Sequence, residues 1–188
     1  MTGFKHGYRN TKVYSIVECV IRRCHDPKKD NFQNYGAKGI FVCDEWRHDR
    51  GVFCKWLEDQ GYREGLQIDR IDNDKGYSPD NCRLIPHSFN GINKKGCGVS
   101  GICGVYFKKD CTLRPYLATV RLYGKTYDIG RYLNIEEAAL VRKRVSASVC
   151  EKVADLCFKH KDIPIKQMEN LFVEVLVTEI QAVKGASI

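Results

Sequence analysis

The chain has no run of apolar residues long enough to span a bilayer, and its first residues, MTGFKHGYRN, lack the apolar stretch of a signal peptide. Those absences predict a cytoplasmic protein without a membrane partner. No internal repeat and no low-complexity tract is present, which argues against solenoids and disordered tails. None of the ten cysteines falls in a CxxC pair. Without an export signal they read as reduced thiols or metal ligands rather than as disulfides. Cys24, Cys43 and Cys82, with His25 beside the first, would form a structural zinc site only if the fold brings them together. The competing reading of each cysteine is a small core residue.

What the chain has in excess is positive charge, a formal +8 with a pI near 9.0. Residues 1–95 hold 17 basic against 13 acidic side chains, 96–163 hold 12 against 7, and 164–188 hold 2 against 3. Such a balance suits a polyanion, because Lys and Arg that neutralise phosphates release condensed counterions. At 188 residues the chain accommodates one large or two small domains. The expected division is 1–95, then 96–162, then a C-terminal helix over 163–188.

In TKVYSIVECVIRRC, Val13, Val17, Val20 and Cys24 recur at helical spacing, with Asn10 or Thr11 as cap and Pro27 as terminator. A Gly-punctuated loop, a short strand at Ile40–Cys43 and a helix near Arg50–Gln60 are expected next. Lys94, Lys95 and Gly96 end this block. From Gly101 the texture turns to GICGVYF, RPYLATVRLYG and KTYDIGRYL, three β-rich runs that predict an antiparallel meander. Asn134 and Glu137 have capping-box spacing at the head of a long helix, and an apolar helical pattern follows Pro164 over 165–183. The fold class is therefore α+β.

The segment LQIDRIDNDKGYSPDNCRLIPHSFNGINKK predicts a strand to Asp69-Arg70, a turn, a short strand CRLI and a helix from Pro86-His87, a ββα unit. Asp69 ends one strand, Asn81 lies in the turn and Asn90 projects from the helix. A carboxylate and an amide oxygen that converge would hold one divalent cation, with hard oxygen ligands favouring Mg²⁺ or Mn²⁺. Taken alone, IDNDKGYSPDN also reads as a polar turn between two strands.

With RCHDP, YGAKGI and VCDEW upstream, this pattern over residues 8–95 resembles the HNH endonucleases, and more closely the phage- and intron-encoded homing enzymes. The resemblance implies a ββα-metal fold, double-stranded DNA as substrate, and the cytoplasm of a bacterial host. It assigns Asp69 and Asn90 to the metal and Asn81 to orienting the residue beside Asp69. Arg70 stands where that family has its general-base histidine. A guanidinium cannot accept a proton near neutral pH, although it can hold a phosphate. Two side chains are candidates for the base, His87, three residues before Asn90, and Asp72, two positions beyond Arg70.

GVYFKKDCTLRPYLATVRLYGKTYDIGRYLNIEEAALVRKRV resembles the plant APETALA/ethylene-response-factor class of DNA-binding domain, with Tyr116 in place of the usual Trp. Strand alternation points Ala118 and Val120 at the helix and Thr119 and Arg121 outward, flanked by Tyr106, Lys108, Lys109, Lys125 and Thr126. That face would enter a major groove. Its other reading is a solvated polar sheet face. Arg142, Lys143 and Arg144 read as backbone contacts or solvated charge. The leading expectation is a metal-dependent DNA endonuclease anchored by the second domain. The rival is a catalytically inactive HNH-derived DNA-binding protein, and a third reading is a zinc-stabilised interaction module.

Overall fold

The computed structural model describes residues 7–92 and 102–185, and Lys94, Lys95, Gly96 and Gly101 lie outside them. The chain is α+β, with a helical N-terminal part, two small antiparallel sheets and C-terminal helices. It divides into two compact units that interleave in sequence. The first comprises Met1–Arg63 and Ile68–Leu84, the second Glu64–Gln67 and Ile85–Ile188.

In the first unit, helix α1 (Lys12–His25) starts where the Thr11 hydroxyl accepts the Tyr14 N–H at 3.1 Å, and it buries Val17, Val20, Ile21 and Cys24. Helices α2 (Asp44–His48) and α3 (Arg50–Asp59) follow, the latter capped by Asp49, whose carboxylate accepts the Gly51 N–H at 2.8 Å. Trp46 stacks on Phe53 with centroids 3.9 Å apart, and both are sealed from water. Aromatic burial of this kind dominates the energy of a small core. The strand expected at Ile40–Cys43 shrinks to an isolated parallel bridge between Val42 and Tyr77. Gly76 permits that approach, since a Cβ there would lie 2.5 Å from the Phe41 carbonyl oxygen.

Strands β1 (Leu66–Arg70) and β2 (Cys82–Pro86) pair as a two-stranded sheet, and the short helix α4 (His87–Asn90) follows directly. The loop end of this hairpin belongs to the first unit and its open end to the second.

The second unit contains the sheet β3 (Val105–Phe107), β4 (Tyr116–Leu122) and β5 (Lys125–Tyr132), antiparallel and in chain order. Tyr123 and Gly124, with φ of 49° and 77°, make the two-residue turn between β4 and β5, the handedness that matches strand twist. Helix α5 (Ile135–Lys159) begins as its cap predicts, the Asn134 side chain accepting the Glu137 N–H at 2.8 Å. It covers Ala118, Val120 and Leu122, all buried. Helix α6 (Glu169–Gly185) packs on α5 and β5 and buries Phe172, Leu176 and Ile180.

Two expectations are corrected here. Thr119 does not point into solvent; it is 5% exposed. The chain at Gly104, with φ of 73°, lies over it, and the Thr119 N–H donates to the Gly104 carbonyl at 2.7 Å. The β4–β5 register also slips between Ala118 and Thr119, leaving Ile129 as an extra residue. Arg142 is not a solvated charge either. It is 8% exposed and donates from Nη2 to the Ile92 carbonyl oxygen at 3.0 Å.

Candidate functional site

The first unit holds four of the residues singled out at the hairpin. Asp69 on β1 is 4% exposed, and Arg83 on the neighbouring strand donates to its Oδ2 from Nε and Nη2, each at 3.0 Å. A carboxylate so far from water keeps its charge only beside a cation or in several hydrogen bonds. Asn81, also buried, closes the loop. Its Oδ1 accepts the Asp72 N–H at 2.9 Å, and its Nδ2 donates to the carbonyls of Asp72 at 3.0 Å and Gly76 at 2.8 Å. The amide expected to orient the residue beside Asp69 instead spends these bonds on the loop backbone.

β1 ends at Arg70, so Asp72 sits in the loop and not on a continued strand. Its Oδ1 accepts the Asp74 N–H at 3.0 Å, and Lys75 Nζ lies 3.9 Å from Oδ2. Arg70 donates from Nη1 to the Lys75 carbonyl at 2.9 Å, and its guanidinium lies over two rings, 5.0 Å from the Tyr77 centroid and 5.5 Å from that of Tyr35.

His87 and Asn90 stand at the two ends of α4, in the second unit. Gln67 addresses His87 twice. Its Nε2 donates to the His87 carbonyl at 3.4 Å, which turns its Oε1 toward His87 Nδ1 at 3.0 Å. An amide oxygen accepts only, so Nδ1 is the donor in this bond, and Nε2 is the ring nitrogen of this exposed side chain that Gln67 does not engage.

On the sheet, Tyr106, Lys108, Lys109, Arg121, Lys125 and Thr126 are all exposed. Arg121 sits opposite Thr126, and Tyr106 stands in one cross-strand row with Leu117 and Arg131. Lys108 and Lys109 lie beyond β3, in the turn toward β4. Lys125 Nζ rests 5.4 Å over the Tyr127 ring.

No family model, curated protein or solved structure matches this chain.

Among the described residues, no group of three or more His, Cys, Asp or Glu side chains is placed to hold a metal ion. Cys24, His25, Cys43 and Cys82 are thus not gathered into a zinc cluster. His25 Nε2 accepts the Val42 N–H at 3.1 Å instead. Burial pushes the Cys24 thiol up to about 11 and Cys82 up to about 12, with Arg70 acting against the rise in both. Both are protonated near neutral pH. Asp69, the carboxylate that the HNH resemblance assigns to a metal, belongs to no such group, and its Oδ2 is held by Arg83. Mg²⁺ is commonly held by one or two carboxylates plus substrate phosphates, not by an all-protein cage.

Sequence reasoning missed Arg83, Gln67, Arg23, Tyr35 and Tyr77. Arg83 left a readable signal, a lone charge between Cys82 and Leu84 in an apolar strand. The tyrosines left none, because their roles come from chain-distant stacking.

Proposed function

We propose that the chain is an HNH-type, metal-dependent endonuclease acting on double-stranded DNA, with the exposed face of β3–β5 as its DNA contact surface. The observation that supports this best is the succession β1, loop, β2, α4, which carries Asp69, Asn81 and Asn90 in the order the HNH resemblance implies, with Arg70 in the place of its histidine. In this reading Asp69 and Asn90 hold Mg²⁺ or Mn²⁺, which when bound polarises the phosphate and acidifies a water. Arg70 holds phosphate charge through the edge of its guanidinium. Asn81 fixes the loop that carries Asp72. His87, with its ring oriented by Gln67, takes the proton in preference to Asp72, whose carboxylate is engaged by Asp74 and Lys75.

A non-cleaving DNA-binding protein is the second reading, favoured by Arg70 in the place of a base and by Asp69 neutralised by Arg83. Purified protein incubated with supercoiled plasmid separates the two. Conversion to nicked or linear DNA with Mg²⁺ or Mn²⁺, lost with chelator and in Asp69→Ala, is the enzyme's expected result. Cutting by Asp69→Ala at the wild-type rate overturns the site, and binding without any cutting selects the second reading.

A further inference from the structure

Arg23, on α1, has no role in the function proposed above, yet its surroundings are unusual for a surface arginine. Its guanidinium lies 4.6 Å from the Tyr35 centroid and 4.9 Å from that of Tyr77, the same two rings that carry Arg70. Its Nη2 donates to the Tyr77 hydroxyl at 2.6 Å, while its Nε is buried with no hydrogen-bond partner. Among the described residues no carboxylate pairs with it; Asp26, the nearest acid along the helix, pairs with Arg22 at 3.2 Å.

Two guanidiniums on one aromatic platform repel each other, and a buried N–H without a partner is an unrecovered desolvation cost. An anion held against the two arginines would offset the repulsion. Stacking is compatible with it, because guanidinium donors lie in the plane of the group and a ring against its face does not use them. Those donors match phosphate oxygens.

We propose that Arg23 and Arg70, laid on Tyr35 and Tyr77, form a two-arginine binding site for a phosphate group. Its identification as a phosphate of the DNA backbone rests on the function proposed above; the site itself does not.

The test uses the full chain and two probes, a short DNA duplex and inorganic pyrophosphate. Arginine Nε–H resonances are followed by NMR and duplex affinity by fluorescence anisotropy against salt. Both probes are expected to shift the Arg23 and Arg70 resonances. Arg23→Gln is expected to weaken duplex binding on the order of tenfold and to lower the slope of log affinity against log salt by about 1. Arg22→Gln removes the same charge from the next position on the helix and is the control. Should Arg23→Gln fail a circular dichroism check of its fold, Tyr35→Leu, which removes one ring of the platform, takes its place and is expected to weaken binding likewise. Equal behaviour of Arg23→Gln and Arg22→Gln, with the Arg23 resonance unmoved by either probe, overturns the site. Pyrophosphate shifts without duplex binding uphold the site and overturn the DNA function.

Discussion

A buried carboxylate has lost the water that would solvate it, and Arg83 donates two N–H groups to Asp69 in its place. Removing the arginine alone takes two hydrogen bonds from a buried carboxylate. Arg83→Ala is therefore expected to cost about 3–5 kcal/mol in urea unfolding, the usual penalty for breaking a buried pair from one side. A loss under about 1 kcal/mol would mean that other groups already neutralise Asp69. His25 makes a second prediction at this scale. Burial, reinforced by Arg47, holds its ring below the ordinary histidine value, and its neutral Nε2 accepts the Val42 N–H. With the folded value below the unfolded one, the folded state binds fewer protons. This stability is complete above the unfolded value near 6.5 and is lost as pH falls through the folded value. His25→Gln is expected to flatten stability against pH in that acidic window. A slope identical to wild type there would remove His25 as its cause.

Among the elements, those set by local chemistry were the legible ones. Thr11 and Asn134 cap their helices because a short polar side chain satisfies an orphan N–H wherever the chain runs on as helix. Asn134→Ala is accordingly expected to lower stability by about 1 kcal/mol, read from thermal unfolding. Asn134→Ser should restore most of it, and no recovery would point to a contact other than the cap. The three-stranded meander was legible from its alternation and its turn residues. Thr119 was not, since alternation carries no sign of the chain at Gly104 lying over one position. Arg142 reads like its neighbours Lys143 and Arg144, and its bonds to the Ile92 carbonyl and Cys103 Sγ distinguish it. At the hairpin, the order of the chemical groups was readable and their partners were not. Asp69–Arg83 and Gln67–His87 both depend on strand pairing, which side-chain spacing does not specify.

For the molecule as a whole, the two units trade segments along the chain. Ile85, Phe89 and Ile92 precede residue 95 but are buried in the second unit, where Phe89 meets Phe172 edge-on at 5.6 Å. A fragment of residues 1–95 is expected to bind a hydrophobic dye and to show collapsed amide dispersion over residues 85–92, unlike the full chain. A fragment with native dispersion there would show that these residues find a core without residues 102–185. The same interleaving sets a schedule for synthesis. Phe89 leaves the ribosome well before Phe172 and the rest of its core, and at about 5–20 residues per second the wait to the end of α6 is roughly 5–20 s. Through that interval the nascent hairpin carries Ile85 and Phe89 without the second-unit side chains that bury them in the finished fold.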